Sequence, residues 1–322
     1  PGDAYEGTRA EVHWMAEINR RTGRPVTFGL AQSNLGPELY RKILEFVDAE
    51  AATGGVIHPQ TTARGIGLLF GIVHRTFFDR APAWQALSAL DVNARLAVLE
   101  DTERRATLID EAKANTPPLD FDGVFVLSGD VAQYAYSDAD SLGAQARAAG
   151  EHVAETFVRL VRETRGQALF NFPFLNQRMD AVEEMLTHPS VVLGLADSGA
   201  HVGLIMDAGL PTWFLSHWVR DRKVFTLEEG VRRLTSDTAK LFGVRDRGVL
   251  APGAYADVNV FDLDALSLPV PEYVHDFPNG AGRYVQTSRG FDTTVVNGAV
   301  FIEGGALSGT LAGRTLRSSP PV

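Results

Sequence analysis

Apolar residues in the first sixty positions recur with two alternating rhythms. Val12, Met15 and Ala16 repeat at three-to-four residue spacing after Thr8-Arg9-Ala10-Glu11, which reads as a capping box opening a helix. Gly23 and Pro25 end that helix. Val26 to Leu30 then form a short apolar run, the pattern of a strand. Pro37 stands where a first helical turn tolerates it, and Leu39, Tyr40, Ile43, Leu44, Val47 and Ala51 give the stripe of a second helix closed by Gly54-Gly55. Val56-Ile57-His58 reads as another strand. Helix and strand alternating with short connections predict an α/β fold with a parallel sheet.

From residue 63 to 167 the rhythm is less regular. Phe77, Phe78, Pro82 and Trp84 predict a packed aromatic turn, residues 88–113 and 143–164 predict helices, and Phe121 to Leu127 a strand. This stretch reads as an insertion that covers something. Ala168 to Phe172 is read as a strand at which the earlier alternation resumes, followed by a helix carrying Val182, Met185 and Leu186 on one face. Val191 to Ala196 is an unbroken apolar run, the signature of a strand buried on both faces, and it stops at Asp197. Thr226-Leu227-Glu228-Glu229 is a second capping box, opening a helix to about Phe242. After Gly248, tight-turn pairs such as Asn279-Gly280 and Asn297-Gly298 separate short β-branched runs, which predicts antiparallel strands. The expected divisions are 1–70 for parallel strands and helices, 71–167 for an inserted lid, 168–247 for the last parallel strand and its helices, and 248–322 for a β segment. No internal repeat is found.

Composition narrows the function. The chain of 322 residues is 45% hydrophobic and 22% charged, ordinary for a packed globular protein. Its formal net charge of −10 argues against nucleic acid and anionic membranes as partners, and no apolar run is long enough to span a bilayer. With no cysteine there are no disulfides, thiolate metal sites or cysteine nucleophiles, which fits a reducing compartment and a cytoplasmic location. The chain begins Pro1-Gly2-Asp3, so it is expected to be part of a longer product.

Asp197 is the sharpest position for chemistry. A carboxylate directly after a buried parallel strand lies at the carboxyl edge of the sheet, where active sites of α/β proteins form. Ser198, Gly199 and Ala200 leave room there for a ligand; the alternative is a helix cap. His201, four residues on, is open as a metal ligand, a proton shuttle or a plain loop histidine. His58 and Gln60 stand at the end of the Val56-Ile57 strand, where a site role competes with a structural one. Arg64 could pair with a substrate carboxylate through its fork or sit in a structural salt bridge. His217 falls on an apolar helical face and reads as a buried, satisfied histidine. The chain contains no H-x-H, H-E-x-x-H, G-x-S-x-G or phosphate-binding loop motif.

The run Val192-Leu193-Gly194-Leu195-Ala196-Asp197-Ser198-Gly199-Ala200-His201 resembles the last barrel strand of the metal-dependent amidohydrolases. It is most similar to the D-aminoacylase (N-acyl-D-amino-acid deacylase) branch, whose members carry an SDAGAH segment. Pro211 to Arg220, Leu234 to Gly243, Arg247 to Asp262, Val295 to Gly298 and Gly309 to Arg317 resemble later segments of the same branch. The resemblance implies a partial (β/α)₈ barrel with an insertion and a C-terminal β-sandwich segment. It implies a divalent metal, zinc, held in part by Asp197, which would also move the proton from water to the leaving amine. A metal-bound water with its pKa near 7 would attack the amide. His201 would steady the oxyanion or Asp197, and His58, Gln60 and Arg64 would line the substrate pocket. The implied partner is a small N-acyl amino acid or related amide. The chain is expected to form an oligomer or to pair with an N-terminal portion that carries the H-x-H ligands. Two departures loosen the match: the strand Val26 to Gln32 has no histidine, and Val202 to Gly209 has no arginine. A deaminase, a cyclic amidase and a non-catalytic fragment are the competing readings.

Overall fold

The computed structural model describes residues 5–194 and 198–317. The chain opens with helix α1 (Glu6–Thr22), ended by Gly23 in the left-handed conformation at φ 64°, as its lack of a Cβ permits. The expected capping box does not form. The helix starts at Glu6 with Tyr5 at its N-cap and no side-chain cap, so Thr8 lies inside the first turns. Strand β1 (Val26–Gly29) follows, then α2 (Leu39–Ala51) and β2 (Ile57–Thr61). Val12, Ala16, Val47 and Ile57 make a small core between the two helices and β2.

β3 (Ile66–Phe70) leads into α3 (Pro82–Ser88), α4 (Val92–Glu100), α5 (Thr102–Ala114), β4 (Phe125–Leu127), α6 (Leu142–Ala149), α7 (Val153–Glu163) and β5 (Leu169–Leu175). The helix expected over 143–164 is two helices, because Gly150 takes φ 66° and closes α6. β5 corrects a second expectation. It does not resume the parallel alternation but is the middle strand of an antiparallel sheet in the order β3-β5-β4. A short apolar run looks the same in either sheet type, and only its long-range partners decide. The helices pack on this sheet through an aromatic core in which Phe77, Phe78, Trp84, Phe157 and Phe170 meet edge to face or tilted.

α8 (Met179–Thr187) then leads to β6 (Val192–Leu193). α9 (Leu210–Trp213) runs on as a π-helix over Phe214–Asp221. α10 (Leu227–Leu234) carries the expected capping box, Thr226 Oγ1 accepting from the Glu229 N–H at 3.2 Å and Glu229 returning the bond. The helix does not reach Phe242 unbroken: Thr235 interrupts it before α11 (Ser236–Leu241). β7 (Val258–Phe261), the hairpin β8 (Glu272–Val274) and β9 (Arg283–Val285), β10 (Phe291–Val296), β11 (Ala299–Glu303) and β12 (Ala306–Leu307) complete the chain.

The result is an α/β fold. The parallel strands make one sheet, in the order β1-β2-β6, with Val26 opposite Ile57 and Gln60 opposite Val192. Among the described residues this sheet is open, three strands wide, and forms no closed barrel. The C-terminal strands form one antiparallel sheet, β12-β11-β10-β7, beside the separate hairpin, rather than a complete sandwich. No helix of the described residues is long and apolar enough to cross a membrane.

Phe157→Ala removes a ring shared by Phe77, Phe78, Trp84 and Phe170. It is expected to cost about 3–5 kcal/mol in urea unfolding followed by fluorescence. Leu307→Ser, at an exposed position, should stay within about 0.5 kcal/mol of the parent.

Candidate functional site

The carboxyl ends of the three parallel strands meet a layer of buried polar side chains. Past the strand ends the Leu30 N–H donates to the Gln60 carbonyl and the Gly194 N–H to the Thr61 carbonyl, each at 2.7 Å, so the sheet's pairing continues one residue further. Asn176 then clamps β1 to β2. Its amide Nδ2 donates to Thr61 Oγ1 (3.2 Å) and Thr62 Oγ1 (2.8 Å), while its Oδ1 accepts from the Gln32 N–H (2.8 Å). The Asn176 N–H donates to the Gln32 carbonyl at 2.7 Å. Asn176 sits at φ 53°, a conformation asparagine tolerates better than most residues.

Arg64 is the centre of this layer. Its Nη1 stands 3.0 Å from Asp207 Oδ1, and both side chains are 2% exposed. Nη2 donates to the Met206 carbonyl at 2.9 Å and Nη1 to the Gly65 carbonyl at 3.2 Å. The guanidinium carbon lies 3.7 Å from the centre of the Tyr134 ring. The Tyr134 hydroxyl accepts from Gln286 Nε2 at 2.9 Å, and burial pushes its pKa up. Tyr136 stacks on Phe125 with centroids 4.2 Å apart, and its hydroxyl accepts from Asn171 Nδ2 at 2.8 Å. Gly65, Tyr134, Tyr136, Asp138, Asn171 and Asn176 border a cavity of about 140 Å³ beside the sheet's carboxyl edge. Gly65 must stay small, because a Cβ there would stand 3.0 Å from the Pro173 ring and 3.3 Å from the Asn176 carbonyl.

Asp197 lies outside the described residues. The segment after it is held on two sides. The Leu69 N–H of β3 donates to the Leu204 carbonyl (2.7 Å) and the Tyr284 N–H of β9 to the Val202 carbonyl (2.9 Å). His201 is exposed, at φ 49°, and its carbonyl accepts from the Leu204 and Ile205 N–H groups. Ser198 Oγ is buried with no hydrogen-bond partner among the described residues.

Among the described candidates, His58 and Arg64 are not brought together. Arg64 takes the salt-bridge alternative, within the polar layer. His58 is the second residue of β2, near the amino end of the strand rather than its carboxyl end, with Nδ1 3.3 Å from the Ser190 carbonyl. Gln60 shares that face and donates to Thr27 Oγ1 at 2.5 Å, tying β2 to β1. His217 is not satisfied as expected: it stacks on Trp213 at 4.7 Å, but its Nε2 has no partner among the described residues. Among the described residues no group of three or more histidine, aspartate or glutamate side chains could hold a metal ion. The described donors therefore do not fit a complete metal centre. Sequence reasoning missed Asp207, Asn176 and Tyr134; only Asn176, a turn-prone residue directly after a strand, left a local signal.

The amidohydrolase family model matches residues 1–302. The chain belongs to the amidohydrolase family. It is 47% identical over 55 residues to the N-acyl-D-glutamate deacylase of Alcaligenes xylosoxydans xylosoxydans, 17% of this chain and 11% of that protein. It is 36% identical over 66 residues to the dihydroorotase of Lactobacillus johnsonii, 20% of this chain and 16% of that one. A D-aminoacylase variant solved with copper chloride superposes with a TM-score of 0.50 at 19% identity, covering 97% of this chain and 53% of that structure. That last likeness is one of fold. This amidohydrolase chain thus spans about half of the solved relative and a small share of the curated ones.

Arg64→Met strands Asp207 in the interior and is expected to cost about 3–5 kcal/mol in denaturant unfolding. Arg64→Met combined with Asp207→Leu should recover most of that loss. A second outcome concerns pH. Burial, then the neighbouring Arg222, holds the His217 pKa below the usual histidine value; burial, Arg75 and Arg95 do the same for His74. As pH falls through about 6.5 the unfolded chain takes up these protons before the folded one, so stability declines on acidification below that value. His217→Gln should flatten the decline of the melting temperature between pH 7 and 5.5.

Proposed function

We propose that this amidohydrolase chain is part of an enzyme that hydrolyses the C–N bond of N-acyl amino acids, including D-amino acids. The observation that carries the reading is the family match across residues 1–302, joined to a parallel sheet whose last strand, β6, ends four residues before Asp197 in the sequence. The likeness to an N-acyl-D-glutamate deacylase supports the substrate class. In this reading β1, β2 and β6 are a section of an amidohydrolase barrel. β1 and β6 each have an unpaired edge among the described residues, and another segment or a second copy completes the sheet.

Asp197 and His201 are proposed as the catalytic pair, with Asp197 also the chain's metal ligand. The proposed metal is zinc, which would supply Lewis acidity at the amide; further ligands must come from beyond the described residues. Gln60 and Arg64 act as framing. Gln60 ties the strands, and Arg64 fixes the loop before Asp207 and the Tyr134 ring so that the cavity keeps its shape. His58 is proposed to act away from the reacting atoms. The enzyme is proposed to work in the reducing cytoplasm, in line with its lack of cysteine. The likeness to a dihydroorotase favours one alternative substrate, dihydroorotate.

The test is hydrolysis of N-acetyl-D-amino acids, their L forms and dihydroorotate, with zinc quantified by elemental analysis in the parent and in Asp197→Ala. The expected result is bound zinc and turnover of the N-acetyl-D substrates in the parent, and at least a hundredfold loss of turnover together with the zinc in the variant. Turnover of dihydroorotate alone moves the reading to cyclic amides. A parent without zinc or turnover overturns it for this chain.

A further inference from the structure

The amino edge of the parallel sheet has the opposite character to its carboxyl edge. A cavity of about 740 Å³ opens beneath β1, β2 and β6, bordered by His58 and by Arg232, Arg233, Asp237 and Lys240 of α10 and α11. Three permanent cations thus face it with one carboxylate, in a chain whose formal net charge is −10. Such a concentration of positive charge against the overall sign draws anions.

Arg233 makes the case specific. Its guanidinium lies 4.5 Å from the centre of the Phe225 ring, and its Nε is buried with no hydrogen-bond partner among the described residues. Burial and the adjacent Arg232 lower its pKa, against the pull of Asp237 and Glu229, which favour the charged form. The one carboxylate at the cavity, Asp237, is engaged by Arg232 at 3.5 Å. Lys240 is exposed at the same cavity with no carboxylate in ion-pair distance among the described residues. Arginine forks and a lysine point charge together suit a compact, multiply charged oxyanion. The volume leaves room for an organic group attached to it.

We propose that this cavity is a second ligand site, separate from the carboxyl-edge site, that binds a phosphate-bearing small molecule through Arg233, Lys240 and Arg232. His58 belongs to this site. The anion adds to the negative charge that Asp237 and Glu229 already set near Arg233, and Asp237 limits affinity by holding Arg232.

Calorimetric titration of the full chain with inorganic phosphate and with diphosphate, at ionic strength matched with chloride, tests the assignment. Saturable binding is expected at one site, with diphosphate the tighter. Arg233→Gln should weaken diphosphate about tenfold or more, the loss of a charge-assisted hydrogen bond. Lys240→Gln, at an exposed position that folding does not need, should weaken it several-fold. Asp237→Asn should tighten it, a gain that mere disruption of the helices would not produce. Circular dichroism checks that each variant is folded; if Arg233→Gln is not, the other two decide. No saturable heat beyond chloride, or equal affinities in the parent and the Lys240 and Asp237 variants, overturns the proposal.

Discussion

The polar layer above the parallel sheet rests on one buried contact, the ion pair of Arg64 and Asp207. A charge taken out of water must recover its solvation from its neighbours or it unfolds its surroundings. Arg64 does so in four directions, through a carboxylate, two backbone carbonyls and the face of Tyr134. These partners come from three distant parts of the chain: the end of β2, the inserted unit and the loop after β6. The pair therefore acts as a geometric lock. None of the three segments can shift without stripping a partner from a charge that water does not reach.

Two further side chains work in the same sense. Trp218 of the π-helix donates to the Ala63 carbonyl at 2.7 Å, holding the chain one residue before Arg64. Asn176 joins the ends of β1 and β2 from the residue directly after β5. The antiparallel sheet β3-β5-β4 is thus not loosely placed. It is fastened to the parallel sheet where the two meet, and its first strand also holds the segment following Asp197 through Leu69 and Leu204. Phe125, Tyr134 and Tyr136 line the cavity beside the polar layer, and the burial of Arg64 and Asp207 strengthens the electrostatic contacts there.

What the sequence made legible is what short-range chemistry decides. The stripe of α2, the left-handed stop at Gly23 and the reciprocal bonds of Thr226 and Glu229 are all local, and each stands as the residues predict. The motif around Asp197 pointed to the family that the comparison of residues 1–302 shows. What stayed hidden depends on partners far along the chain. β5 reads as any apolar strand until β3 and β4 are seen on either side of it. Arg64 has its counter-charge 143 residues away, a separation no local pattern reports. His58 lies near the amino edge rather than at the strand's end because β2 runs on through Pro59 to Thr61.

The filled fork of Arg64 also bears on what the carboxyl-edge cavity can recognise. Arginine binds a carboxylate strongly because its planar fork offers two parallel donors. Here Asp207 and two carbonyls have taken those directions, and releasing them for a ligand would leave Asp207 charged in the interior. The polar side chains left to the 140 Å³ cavity are those of Tyr134, Tyr136, Asn171, Asn176 and Gln177, beside the apolar Phe125, Pro173 and Met179, with Asp138 exposed at its border. Groups of that kind discriminate through hydrogen-bond geometry rather than through charge, and a site of such groups rejects a ligand that leaves one of them unpaired. Family membership fixes the scaffold on which this layer is built, but the layer's own donors and acceptors set what the cavity can hold.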